Sequence, residues 1–580
     1  MRPLRWLLAR LESPRAGPGI ILIAIVLALP SIASPYFIDE YMQTSKWTAW
    51  HKDLPRPGRQ NILNDYYVFA DESTNRLEME RLGVWWMAPD FKVAFWRPLA
   101  AATHVVDHVL WPGNRVAIHL HGLAWFAAFL VALHFFFRRF LPPRLANLAL
   151  ALYAWDDARG MVLSWIANRH ALVGGFLGVC TLIAHDRWRR ERWRLGAWLA
   201  PLLLALGLLS SEMALSTTAF LFGHALFVDE GPLPRRLARL IPSALVVAAW
   251  QAAYIAGAFG AVATAGYTYP LSEPFAYVAK LFERAPIYLL GQLTPFDSMI
   301  WGLTPPVAKF AIYLLALAVL AIVARVTWPR LAENRQSRFW LVGAGLSLLL
   351  ITTSAPWDRN LVFVGLGVTP ALALLFASMV DKPASTRWPR FVVAALAVFN
   401  LVLGPLAFPP KCLTVLGLSK MLPSPDASIS RDPAIAQKTL VIPWLMFEAP
   451  LWFTWSMRDA EGIPKPGKTR ILGVSFGDVS VTRLDPVTLR LRPQDGFFPS
   501  DSSKLFRSSS RPYHAGEVVN LSNMTATITE LTDDRRPQTV EFRFATPLES
   551  PEWLWMRGVP SGLAEWTPPK VGETVLIATR

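Results

Sequence analysis

Long apolar runs of roughly 17 to 25 residues, almost free of charge, recur along this 580-residue chain, and they constrain its fold more than any other feature. As a helix rising about 1.5 Å per residue, such a run crosses a hydrocarbon layer about 30 Å thick. Lipid cannot hydrogen-bond an open backbone, so the runs must be helices. Composition agrees, with 53% hydrophobic and 17% charged residues, where soluble domains carry about 25% charged. The formal net charge of +15 raises nucleic acid as a partner. The basic residues, however, sit in short clusters between apolar runs and form no single patch interleaved with aromatics, which excludes it. Cys180 and Cys412 lie far apart in sequence and imply neither a disulfide framework nor a Cys-based metal site.

Orientation follows from the accumulation of Lys and Arg in short cytoplasmic loops. The clusters are Arg138, Arg139 and Arg144; Arg187 to Arg194; Arg235, Arg236 and Arg239; Arg325 to Arg338; and Lys382 to Arg390. Each successive pair leaves room for two spans. About eleven transmembrane helices are therefore predicted, near 18–34, 116–137, 145–156, 170–185, 196–210, 213–228, 240–262, 307–325, 339–355, 360–380 and 391–408. The N-terminus is then cytoplasmic and everything after Pro409 is outside. The basic start (Arg2, Arg5, Arg10, Arg15) and the apolar Ile20 to Leu29 read as an uncleaved first helix in preference to a signal peptide. Residues 276–296, within the stretch 263–306, are open between a span and a re-entrant or interfacial helix; a full span would invert every later basic loop.

The chain is thus expected to be an α-helical polytopic membrane protein over 1–408, with 35–115 as a first external loop carrying interfacial helices. A Pro-rich connection follows over 409–468, and a small β-rich extracytoplasmic domain over 469–580, where Thr525 to Glu530 and Val540 to Phe544 alternate as strands do. Trp47, Trp85, Trp86, Trp111 and Trp357 read as interfacial belts. Asn520 and Asn523 head glycosylation sequons that matter only in a eukaryotic secretory setting. The excess of Arg over Lys suggests a GC-rich bacterium, so the expected location is its inner membrane, with the outside a periplasm.

Asp39 and Glu40, in SPYFIDEYMQ, sit at the outer interface directly after the first helix. A carboxylate there can take a proton from an attacking hydroxyl or amine; the alternative is that the pair merely ends a helix. Asp39, Glu40, Arg97, His104, Asp107, Asp156, Asp157, Arg169, Glu212 and Arg359 all fall at outer ends, while the cytoplasmic loops read as simple basic stop signals. His104 and His108 have the i, i+4 spacing that lets two imidazoles meet one metal, but a polar face of an interfacial helix is preferred. His119 and His121 point to different faces of a helix and read as headgroup or water contacts.

The order of these features resembles the GT-C superfamily of polyprenyl-phosphate-dependent glycosyltransferases, especially the protein O-mannosyltransferase and tetratricopeptide-linked mannosyltransferase branches. Matching elements are Asp39 with Glu40; Arg97, Pro98 and Leu99; His119 with His121; Trp165, Ile166 and Arg169; Glu212; and Arg359 at the start of a late helix. The resemblance implies a GT-C-like fold, with a polyprenyl-phosphate-linked sugar as donor, a periplasmic glycan, lipid or protein as acceptor, and no other cofactor or metal. It makes Asp39 the general base, supported by Glu40, and places Arg359, Arg97 and Arg169 on the donor phosphate, which suits the planar fork of arginine. His104, Asp107, His119, His121 and Glu212 are further site candidates. No tetratricopeptide array follows the last helix, so the acceptor stays open, as do the sugar and the oligomeric state. The rivals are a transporter or flippase of a lipid-linked saccharide and a non-catalytic envelope assembly protein. Transporters commonly show internal repeats and mid-membrane charges, neither of which is evident here.

Overall fold

The structure is a computed structural model and describes residues 8–53, 59, 61–382, 385–421, 424–499 and 503–578. The basic positions Arg2 and Arg5 lie outside the described residues. The chain divides into two compact units. A helical unit comprises Met1–Tyr36, Trp96–Ala258 and Tyr269–Leu418, and a β-rich unit comprises Phe37–Phe95, Phe259–Thr268 and Ser419–Arg580.

Each of the eleven apolar segments forms a helix, but among the described residues only six helices are long and apolar enough to cross a membrane. These are Ala16–Ala33, Arg115–Phe140, Ile166–Arg190, Val307–Glu333, Val362–Asp381 and Arg387–Lys411. The others, Pro143–Ala154, Gly196–Leu208, Thr217–Phe227, Ile241–Ala256 and Arg335–Ile351, have 11 to 17 residues, which at the α-helical rise is about 17–26 Å. The reason is local: the apolar runs include residues that the chain places in 3-10 turns, such as Glu212–Ser216 ahead of Thr217. Of the segment left open at 276–296, all but the last three residues lie in a 20-residue helix, Pro274–Leu293, whose Lys280, Glu283 and Arg284 keep it out of the apolar class.

Helix Val362–Asp381 is the hub of the helical unit, with 89% of its apolar window buried against 6% for Val307–Glu333. Close approach makes this possible. A Cβ on Gly367 would lie 2.3 Å from the Trp340 carbonyl oxygen, so only glycine lets helix Arg335–Ile351 sit this near. Phe136, Phe137, Phe140, Phe339 and Trp340 fill the space at one end, with Trp340 ring centroids 4.5 to 5.8 Å from the other four.

In the β-rich unit, a six-stranded antiparallel sheet runs in the order Thr574–Ile577, Val479–Asp485, Thr488–Pro493, Pro537–Phe544, Met524–Leu531, Val518–Leu521. Its alternating burial, as in Val479, Val481 and Arg483, is that of a sheet with one covered face. A second sheet has the order Gly562–Glu565, Trp553–Val559, Thr439–Ile442, Lys468–Ile471. Thr439–Ile442 is parallel to both of its neighbours. Parallel pairing needs a crossover, and helix Ala449–Glu461 supplies it.

The segment read as a connection, 409–468, therefore contributes a central strand. All four residues of that strand are buried, so it lacks the alternation that marks a half-exposed one. The external loop is also divided: Val68–Ala70 and Lys92–Ala94 pair within the β-rich unit, the latter with Gly260–Val262. Trp85 and Trp86, read as interfacial belt residues, are instead 1% and 0% exposed. They pack on Phe542 at 5.6 Å and Phe498 at 4.6 Å, because a strand edge beside them buries the rings that the sequence left on a loop. Asn523, the second sequon asparagine, accepts from Arg470 and donates to Thr439.

Candidate active site

Asp39 and Glu40 belong to the β-rich unit, three and four residues past its boundary at Tyr36. They lie in the first turn of helix Ile38–His51. Glu40 is buried and accepts the Phe37 backbone N–H at 3.1 Å, the reaching-back half of a capping box that satisfies a helix-end donor. Asp39, at the second helical position, is half-buried. Both acids also meet the positive end of the helix dipole.

In the helical unit, Arg97 precedes helix Pro98–Leu110 and donates through Nε to Glu212 at 2.7 Å. The Tyr254 hydroxyl donates to the other Glu212 oxygen at 3.3 Å. Two residues predicted separately for the site thus neutralise one another.

Asp107 is the centre of a second constellation. It accepts from Arg169 and, at 2.6 Å, from His121 Nδ1, with His104 Nδ1 at 3.7 Å. Arg169 also donates to the Ile118 carbonyl at 2.9 Å. The Trp125 indole N–H donates to His121 Nε2 at 3.0 Å, which assigns the His121 proton to Nδ1 and aims it at Asp107. Burial, with the Arg169 charge, pushes the His104 imidazole down to about 4. Burial alone would raise the Asp107 carboxyl, but His104, His121 and Arg169 outweigh it and hold Asp107 well below the carboxylate range. His119 Nε2 lies 3.1 Å from the Ser34 carbonyl. Among the described residues, no group of three or more His, Cys, Asp or Glu is arranged to hold a metal ion.

Arg359 differs from these arginines. It occupies a 3-10 turn, Asp358–Asn360, ahead of helix Val362–Asp381, with its guanidinium 4.8 Å from the ring centres of both Trp165 and Trp357. Nη1 donates to Asn168 Oδ1 at 2.8 Å. Among the described residues no carboxylate pairs with it. Its Nε is buried without a partner, as is that of Arg169, and so is Asn168 Nδ2. Two unpaired donors and one positive charge without a carboxylate partner thus belong to one hydrogen-bonded pair of side chains, Arg359 and Asn168.

A cluster of which the sequence reading named only Asp157 includes Asp358 of the same turn. Lys411 Nζ is 2.6 Å from Asp297, 2.9 Å from Asp358 and 3.8 Å from Asp157. Beside it, Asp156 accepts from Gln292 at 2.8 Å and pairs with Arg159 at 3.3 Å. Burial, then repulsion from Asp156, pushes the Asp157 carboxyl up to about 8. A cation following the last apolar run, on the side that the basic loops led the sequence reading to expect outside, is the sequence signal that could have drawn attention to Lys411. The basic stop signals also proved richer than expected: Asp186, fully buried, pairs with Arg139 at 2.5 Å and His224 at 2.9 Å.

No family model matches the chain, and no curated protein does. Among solved structures it is similar to ArnT from Cupriavidus metallidurans bound to undecaprenyl phosphate, at 12% identity over 78% of this chain and 86% of that one, with a TM-score of 0.40. It is also similar to the Archaeoglobus fulgidus oligosaccharyltransferase in the apo form, at 11% identity over 80% of this chain and 66% of that one, with a TM-score of 0.43. Both likenesses are distant, and the chemistry has to be read from this chain's own residues.

Proposed function

We propose that the chain is a GT-C-type membrane glycosyltransferase that moves a sugar from a polyprenyl-phosphate donor to a periplasmic acceptor. The observation that carries this proposal is Arg359, with its unneutralised charge and the two buried, unpaired donors at Arg359 Nε and Asn168 Nδ2. A buried donor left unmade costs about 1–3 kcal/mol, so the spot calls for an acceptor, and a phosphate oxygen supplies both acceptor and countercharge. As the acceptor oxygen attacks the anomeric carbon, the bond from that carbon to the phosphate oxygen breaks and negative charge grows on the phosphate. Arg359 stabilises that charge. Asp39 is the candidate general base for the acceptor's proton, and within its own unit Glu40 holds the helix end that carries it. Arg97 and Arg169 act at one remove, through Glu212 and Asp107. The N-terminus is cytoplasmic, and the β-rich unit, which takes in 469–580, lies in the periplasm of a bacterial inner membrane and binds the acceptor.

The second reading is a flippase of the lipid-linked saccharide. It is favoured by the ionisable cluster around Lys411, since such groups within membrane proteins mark ion pathways. An Arg359→Ala variant separates the two. In cells making normal amounts of it, a transferase variant accumulates unreacted lipid-linked sugar on the periplasmic face, whereas a flippase variant accumulates it on the cytoplasmic face. Unchanged lipid-linked sugar on both faces would remove Arg359 from the mechanism.

A further inference from the structure

The turn that carries Arg359 also carries an acid, Asp358, that could neutralise it. A single 3-10 turn is too short to enforce its own geometry, so the orientation of Asp358 depends on what holds it. Its Oδ1 accepts the Ser298 backbone N–H at 3.0 Å and the Ser298 hydroxyl, and its Oδ2 accepts Lys411 Nζ at 2.9 Å. On the other side of Arg359, Asn360 Nδ2 donates to the Tyr288 hydroxyl at 2.8 Å and to Ser354 Oγ at 3.0 Å. Tyr288 in turn donates to the Ala355 carbonyl at 2.7 Å. Both neighbours of Arg359 are therefore fastened away from it. The guanidinium is left to Asn168 and the two indole rings.

We propose that Lys411, assisted by Ser298, is a positioning residue that holds the Asp358 carboxylate off Arg359 and so keeps the Arg359 charge available to an anionic phosphate ligand. This rests on the reading of Arg359 as the donor-phosphate site. Lys411 suits the task because it is braced from two further sides by Asp297 and Asp157. Its ammonium cannot follow Asp358 towards Arg359 without leaving both. A carboxylate released by loss of Lys411 would compete with phosphate for the same guanidinium, and opposite charges a few ångströms apart in a buried site attract strongly.

The distinctive consequence is suppression. If Lys411 served only to brace the fold, removing Asp358 as well would do further harm; if it restrains Asp358, removing the acid restores the site. The test uses the full chain in lipid nanodiscs with undecaprenyl phosphate as the probe. Binding affinity is measured alongside thermal unfolding. Arg359→Ala is expected to abolish binding, and Lys411→Met to weaken it about tenfold or more. Asp358→Asn is expected to bind at least as well as wild type, the Lys411→Met and Asp358→Asn pair to recover most of the lost affinity, and Lys411→Arg to stay near wild type. Should Lys411→Met not fold, Ser298→Ala gives a smaller loss that Asp358→Asn again suppresses. A pair as weak as Lys411→Met alone, or a Lys411→Met (or Ser298→Ala) variant with wild-type affinity while Arg359→Ala fails to bind, overturns the restraint and leaves the phosphate site standing. Wild-type binding by Arg359→Ala overturns both.

Discussion

Arg169 and Asp107, 62 residues apart in sequence, form an ion pair in which each side chain is 2% exposed. The guanidinium and carboxylate sit where neither can be solvated alone, so the pair ties helix Ile166–Arg190 to helix Pro98–Leu110. Breaking a buried pair from one side is expected to cost about 3–5 kcal/mol. Asp107→Ala should therefore lower the unfolding midpoint of the detergent-solubilised chain strongly. The joint Asp107→Leu and Arg169→Met change should lower it less. A double variant no more stable than Asp107→Ala would show that the charges are not the source of the loss.

A pH dependence belongs to the β-rich unit. Glu448, 2% exposed with Oε2 unpartnered, stands just before helix Ala449–Glu461, and burial pushes its carboxyl up to about 7 from the ordinary 4.5. A folded-state value above the unfolded one means that the native chain binds the extra proton. The contribution is thus fully present below about pH 4.5 and is lost as pH rises through about 7, for a total of about 3 kcal/mol. Glu448→Gln should unfold at a higher temperature than wild type at pH 8 and at nearly the same temperature at pH 4.5. A difference that does not change with pH would contradict this.

Helix contacts in the helical unit give a paired prediction. Alanine at Gly367 places Cβ 2.3 Å from a backbone oxygen, whereas at Gly345 it meets nothing within 4 Å. Gly367→Ala should destabilise by about 1–3 kcal/mol, and Gly345→Ala should be neutral or slightly stabilising through its helix propensity. Thermal unfolding of the two variants side by side checks the asymmetry, and equal effects would be inconsistent with the packing described.

The helices were legible because an apolar run of helix length serves as a membrane span or a buried core helix, and both readings give a helix. The place of Arg359 ahead of a late helix was legible too, since an arginine opening an apolar helix stands out against its surroundings. The partners were not. Arg97 finds Glu212 across 115 residues, and Asp157, Asp297, Asp358 and Lys411 meet only after four separate segments have packed; no local spacing encodes either. Asn168, which gives Arg359 its one hydrogen bond among the described residues, sits in an unremarkable turn. Trp85 and Trp86 were misplaced for the same kind of reason, because an aromatic pair in a loop reads alike whether it faces lipid or a β-sheet. Thr439–Ile442 lost its strand signature by being buried on both faces.

Asp39 tests the central claim of sugar transfer most directly. The measurement is the glycoconjugate profile of three strains: wild type, a full deletion, and Asp39→Ala expressed and inserted at normal levels. Transfer with Asp39 as general base predicts that the substitution and the deletion remove the same glycan. A deletion that changes the profile while Asp39→Ala leaves it intact would contradict the catalytic assignment.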